Sequence, residues 1–292
     1  MKKNCPICNH NKSKIVILLN QSNYKNFINL SKKYKGYLEE ITPDFSKVKI
    51  LRCNNCSHHW YAWKPKDEEI IKMYDKHLKK RKKPNNTLEI KKSKYIQKEL
   101  LSLKFFIRKI YPTFLDYGSG LGFWARVAKD LNYIVFAYEP SLNRIEDSKG
   151  NNYKDINLIK NLKEISKKQI DIINLEQVLE HIPNPLEVLK DLETLCNTRT
   201  IVRVTVPNLS KCKEGKSLYS SWPFTGKSKH TLSPYEHLNG FTQSSLRITY
   251  SKAGFIPAYK FMLLHKPIMF IRLILGEYIK QLATTSIYLI KN

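Results

Sequence analysis

The chain has 292 residues, 42% of them hydrophobic, with 51 lysines and arginines against 25 acidic residues and a net charge of +26. The longest apolar run, Pro267 to Leu275, is interrupted by Arg272 and falls short of the ~20 residues a membrane span requires. Such a charge draws phosphates, yet only nine of the cations are arginine, the residue favoured for bidentate phosphate and base recognition, so nucleic acid is the less favoured partner.

At the amino end, Cys5-Pro6-Ile7-Cys8 and Cys53-Asn54-Asn55-Cys56 form two C-x-x-C pairs. Four thiolates suit a tetrahedral zinc ion in a closed, structural site with no position for water or substrate. The 44 residues between the pairs exceed the usual ribbon spacing of roughly 15 to 20, which places an insertion between the knuckles. His10, His58 and His59 are able to replace a thiolate, but two complete pairs make that unnecessary; unpaired structural cysteines are the alternative. Cys196 and Cys212 read as isolated thiols rather than a disulfide framework. With Met1-Lys2-Lys3-Asn4 reaching a knuckle before any apolar run, a reducing, cytoplasmic location is expected.

Lys76, Lys79, Lys80, Arg81, Lys82 and Lys83 then form a charged run that reads as a solvated linker. The expected organisation is a zinc-ribbon module over 1–75, a linker over 76–94 and a larger domain over 95–292. Ile96, Leu100, Leu103 and Ile107 recur at helical spacing, leading into an apolar strand at Thr113 to Tyr117. That strand runs through Asp116 into Gly118, Gly120 and Gly122 and then a helix over Phe123 to Leu131. Alternate glycines let backbone N–H groups approach a ligand, although a glycine triplet alone is also an ordinary tight turn. Tyr133 to Tyr138 is the second strand, and Glu139 at its tip is placed to accept both hydroxyls of a ribose. The spacing G-x-G-x-G, rather than G-x-G-x-x-G, suits a nucleoside bearing no phosphates.

A third strand is weakly marked around Ile156 to Ile159. The fourth carries Asp171-Ile172-Ile173-Asn174-Leu175-Glu176-Gln177-Val178-Leu179-Glu180-His181, and Val206-Pro207-Asn208 ends a fifth. The loop 208–240 holds Tyr219, Trp222, Phe224, His230, Tyr235, Glu236 and His237, and reads either as a cover over the substrate or as a subdomain with an aromatic core. Ser286 to Ile290 is a last strand, expected antiparallel at the sheet edge.

The acidic residue before G-x-G-x-G, the run Val178-Leu179-Glu180-His181-Ile182-Pro183, and His237-Leu238-Asn239-Gly240-Phe241-Thr242 with Ala253-Gly254-Phe255 resemble class I S-adenosylmethionine-dependent methyltransferases. The resemblance covers about Phe106 to Asn292 and implies an α/β, Rossmann-like seven-stranded sheet with S-adenosylmethionine as methyl donor. It implies that Asp116, Gly118, Gly120 and Gly122 surround the methionine and ribose, that Glu139 holds the ribose hydroxyls, and that Asn161 and Leu162 meet adenine. Glu176 and Gln177 would line the cofactor side, while His181 faces the substrate as candidate base with His237 as second choice. A capping or backbone-binding histidine is the alternative for His181.

With its cysteine pairs, the chain looks like the branch associated with methylation of sugars, surface-polysaccharide precursors or small metabolites, and oxygen is the favoured acceptor atom. An RNA methyltransferase with a zinc recognition module, and a non-catalytic cofactor-binding or partner-binding protein, are the competing readings.

Overall fold

The structure, a computed structural model, describes residues 4–42, 44–77, 86–148, 155–165, 170–209, 222–225, 228–275 and 286–292. The amino-terminal unit comprises β1 (Ser13–Leu18), α1 (Gln21–Ser31), the short α2 (Tyr37–Glu40), β2 (Lys49–Cys53), β3 (His59–Tyr61) and α3 (Asp67–Lys72), which passes into a wider turn over Met73–His77. Asn20 caps α1 through its side chain, and Phe27 and Leu30 on one face of that helix are fully buried. The stretch between the two cysteine pairs is therefore a folded insertion whose buried face joins a core shared with later segments of the chain.

The larger unit begins with α4 (Asn86–Ile107), whose Ile96, Leu100 and Leu103 are buried as their spacing requires. It continues through β4 (Thr113–Tyr117), α5 (Phe123–Asp130), β5 (Ile134–Tyr138), α6 (Leu142–Ser148), β6 (Asn157–Ile159), β7 (Ile172–Glu176), α7 (Pro185–Glu193) and β8 (Ile201–Thr205). After two short strands, β9 (Phe224–Thr225) and β10 (Ser228–Lys229), come β11 (Asn239–Gly240), α8 (Gln243–Lys252), β12 (Phe255–Pro257), α9 (Tyr259–His265), α10 (Pro267–Leu275) and β13 (Ser286–Lys291).

Seven strands form one sheet in the order β12-β13-β8-β7-β4-β5-β6, and apolar clusters cover its two faces. The five strands from β8 to β6 are parallel, and β13 pairs antiparallel with both β8 and β12. The last strand is thus antiparallel as expected, but it lies one place inside the edge, which β12 occupies. Strand order reverses between β4 and β7, opening a crevice beyond their carboxyl ends, where such sheets bind ligands.

Within 208–240, the described residues pack with the amino-terminal unit rather than standing apart. β11 is the fourth strand of the amino-terminal sheet, pairing antiparallel with β3 through Asn239 opposite Trp60. Leu209, Trp222, Leu232 and Tyr235 join the same core as Phe27, Tyr34 and Tyr37. Trp222 Nε1 and the Tyr61 hydroxyl both donate to the Leu232 carbonyl, at 2.8 and 2.7 Å. Trp222 and Tyr235 are fully buried, so these aromatics are core rather than a stacking surface. Tyr219, Cys212 and the Lys79 to Lys83 run lie outside the described residues. Among the described residues, no helix is long and apolar enough to cross a membrane.

Candidate active site

The crevice holds a cavity of about 800 Å³ whose walls come from both units. One end is the turn after β4. Gly118 and Gly120 have φ of 71° and 59°, the left-handed region where a side chain is strained. A Cβ on Gly118 would come 2.8 Å from Val178, whereas one on Gly120 would meet nothing nearer than the Arg144 guanidinium at 3.9 Å. The first glycine is required by packing, and the second leaves the backbone open to the cavity. Gly122 also lies at positive φ, but it sits at the start of α5 rather than on the wall.

Asp116 braces this turn. Its carboxylate accepts from Asn174 Nδ2 at 2.9 Å and from the Ala125 N–H at 3.2 Å, tying β4 to β7 and to the first turn of α5. Burial pushes its pKa up to about 7, against those two hydrogen bonds. Glu139, at the tip of β5, accepts from the Gly120 N–H at 2.7 Å and the Ser141 N–H at 2.9 Å. Both carboxylate oxygens are thereby engaged, and the buried Glu139 is not among the residues that line the cavity.

Glu176 and Gln177 line the cavity as the resemblance implies. The Glu176 carboxylate is held at 2.5 Å by Arg203, which is itself buried in β8, bonded to Asn174 and stacked 4.2 Å over Trp124. Arg203 and Trp124 were not singled out in the sequence; an arginine alternating with valines in an apolar strand was the available signal. Asn161 and Leu162 do not reach the cavity. The Asn161 side chain caps the turn Leu162–Glu164 by accepting from Lys163 N, and Leu162 packs on the sheet core.

The other end of the cavity is polar and built by distant segments. Glu180, His181, Glu236 and His237 line it together with Tyr74 and Lys33 of the amino-terminal unit. His181 Nδ1 lies 2.5 Å from the Glu236 carbonyl and 2.8 Å from the Tyr74 hydroxyl. A carbonyl can only accept, so Nδ1 carries the proton and the lone pair sits on Nε2. The same reasoning applies to His237, whose Nδ1 lies 2.6 Å from the Thr231 carbonyl. Burial, then the neighbouring His237, pushes the His181 imidazole down to about 3, so it is neutral at ordinary pH.

Tyr74 also donates to the Glu236 carbonyl at 3.0 Å, and the Tyr34 hydroxyl donates to the Glu236 carboxylate at 2.6 Å. Asp75 accepts from Ser141 Oγ at 2.6 Å, which docks the turn Met73–His77 onto the segment after β5. Glu180 is 1% exposed, and neither of its carboxylate oxygens has a hydrogen-bond partner. Its Oε1 stands 3.9 Å from His181 Nε2, and burial raises its pKa to about 8.

Behind this wall lies the cysteine cluster. Cys5 and Cys56 sulfurs are 3.6 Å apart, Cys8 and Cys53 are 3.5 Å apart, and all four fall within 4.8 Å. Each pair closes the same turn: Asn9 N and Ser57 N donate to the carbonyls of Cys5 and Cys53, with Asn9 and Ser57 both at positive φ. Zinc with bonds of about 2.3 Å holds its sulfurs at roughly this spacing. Asn239 bridges to the site: its Oδ1 accepts from His58 Nε2, its Nδ2 donates to the Ile182 carbonyl, and its N–H donates to the Glu180 carbonyl.

A family model described as a methyltransferase domain matches residues 67–257, more than half of the chain. No curated protein matches it. Among solved structures, the YcgJ protein from Bacillus subtilis is 10% identical, over 66% of this chain and 98% of that one, with a TM-score of 0.42. The plantazolicin methyltransferase BamL is 18% identical over 71% and 86%, with a TM-score of 0.46. A methyltransferase from Aquifex aeolicus is 15% identical over 66% and 90%, with a TM-score of 0.42. Likenesses of this size carry no functional weight. The matched span takes in the glycine turn, the fourth strand and the imidazole loop, and the open backbone at Gly120 fits a nucleoside cofactor, so the chain belongs to this methyltransferase family and is a class I S-adenosylmethionine-dependent methyltransferase.

Proposed function

We propose that the protein methylates an oxygen of a sugar, a surface-polysaccharide precursor or another small hydroxylated metabolite. Asp116, Gly118, Gly120, Glu176 and Gln177 would hold the amino-acid and ribose part of the cofactor, with Glu139 at the ribose hydroxyls. S-adenosylmethionine supplies a methyl group already activated on sulfur, so the protein must align an acceptor and manage its proton. The Nδ1-protonated His181 presents its Nε2 lone pair to receive the proton of an acceptor hydroxyl. Tyr74 and the Glu236 carbonyl fix that tautomer and orientation. Cys5, Cys8, Cys53 and Cys56 would hold a structural zinc ion that secures the wall behind the acceptor.

One observation carries this reading: a neutral imidazole with its protonated nitrogen pinned to a backbone carbonyl shares a single cavity with the glycine turn. An acceptor that must sit among Glu180, His181, Glu236 and His237 is polar and small, since the cofactor shares the same cavity of about 800 Å³. The test is His181→Ala, measured for both turnover and S-adenosylhomocysteine affinity. A fall in kcat of roughly 10²-fold or more with unchanged affinity is expected. Near-wild-type turnover on a hydroxylated acceptor would remove His181 from the proton's path.

A further inference from the structure

We infer that Glu180, His181 and His237 form a binding site for a divalent transition-metal ion at the acceptor end of the cavity, separate from the cysteine cluster. One donor atom from each residue lies within 4.8 Å of the others, and the two rings stand 4.6 Å apart at 75°, edge to face. Two imidazoles and one carboxylate are a donor set for manganese, iron, cobalt, nickel or zinc, and they leave positions open for oxygen ligands. Bonds of about 2.1 Å bring such donors to roughly 3 to 4 Å from one another, a closure of about 1 Å that side-chain rotation supplies.

Two further features point to an ion. Metal-binding histidines donate their other nitrogen to a carbonyl or carboxylate, which fixes the tautomer and raises ligand basicity. Both rings here do so, His181 to the Glu236 carbonyl and His237 to that of Thr231. A catalytic pair needs only one such arrangement. The second is Glu180, fully buried with both carboxylate oxygens lacking a hydrogen-bond partner. Leaving a buried carboxyl group without a hydrogen-bond partner is costly, and among the described residues the basic group facing it is the neutral His181, whose Nε2 stands 3.9 Å from Oε1. A metal ion answers both features with one ligand.

The inference uses the proposed acceptor only for what the ion would meet. Open positions facing the cavity suit a hydroxyl, or two adjacent hydroxyls, of the acceptor. Binding to the ion lowers the pKa of the hydroxyl, its O–H bond breaks with the electron pair kept on oxygen, and the proton leaves to water. In that state His181 is a ligand rather than the proton acceptor.

The experiment titrates the full chain, its cysteine site filled with zinc, with Mn²⁺ followed by electron paramagnetic resonance; manganese competes poorly for thiolates. One Mn²⁺ per chain is expected, with nitrogen couplings from two imidazoles in the pulsed spectrum. Glu180→Gln and His237→Gln should each weaken it at least ~10-fold while retaining wild-type melting and S-adenosylhomocysteine affinity. Absence of a bound Mn²⁺ below about 1 mM, or binding that neither variant alters, overturns the site. Methyl transfer that persists unchanged after chelation, with no nitrogen-coupled Mn²⁺, overturns it too while leaving the imidazole base intact. Nitrogen-coupled Mn²⁺ without methylation of any hydroxylated acceptor supports the site and defeats the proposed reaction instead.

Discussion

The two ends of the cavity are made in opposite ways. The cofactor end is local: Asp116, Gly118 and Gly120 follow one another in a single strand and turn, and Glu139 closes on the Gly120 N–H from the adjacent strand. The acceptor end is long-range: the Tyr34 hydroxyl meets the Glu236 carboxylate 202 residues away, and Tyr74 meets His181 107 residues away. A backbone cradle depends on few side chains, so it persists as a short motif. A wall of convergent side chains depends on everything that folds behind it.

That contrast sets expected outcomes, the largest first. Gly120→Arg places a side chain at φ of 59° beside Arg144 and inside the cradle, so S-adenosylhomocysteine affinity by calorimetry should fall about 10²-fold or more. Unchanged affinity would mean the cofactor lies elsewhere. Cys53→Ser should abolish one bound zinc per chain, by elemental analysis, and lower the melting temperature, since structural zinc contributes folding energy directly. Methyl transfer should then fall much further than cofactor affinity; equal losses would show that the two ends are not separable.

Asp116 gives a titration test at the cofactor end. Its folded pKa of about 7 exceeds the unfolded value of 3.8, so the folded protein holds a proton that the unfolded chain releases between those limits. Stability from this group is therefore present at pH 4 and lost as pH rises to 7, by about 3 kcal/mol in chemical denaturation. Asp116→Asn should flatten that slope, and a variant as steep as the wild type would deny the burial of the charge. The smallest effect belongs to Tyr74→Phe, which removes the hydroxyl near His181 Nδ1. A fall of about 10-fold in kcat with unaltered cofactor affinity is expected, and a change in affinity alone would move Tyr74 out of the acceptor end.

The same division governs what could be read in advance. β4, β7, the glycine turn and the buried stripe of α4 were legible because each is written in adjacent residues with one period. The cysteine pairs were legible because a knuckle is local, and the spacing showed an insertion between them. What filled that insertion was not, because α1 and α2 pack against Trp222 and Tyr235 from the far side of the sequence. Those two aromatics looked equally suited to a substrate cover and to a core, and only the pairing of β3 with β11 decides for core. Asn161 was assigned by its place after the third strand, but its amide is taken up in capping the next turn. Tyr74 and Asp75 carried no local signal at all, since their roles depend on a turn docking against residues around Ser141 and Glu236.

Asn239 touches the knuckle histidine His58, the turn carbonyls at Glu180 and Ile182, and the strand partner Trp60. A single amide therefore ties the cysteine module to the turn that carries Glu180 and His181. Shortened forms that start near residue 95 should keep their grip on the cofactor but lose one side of the acceptor chamber.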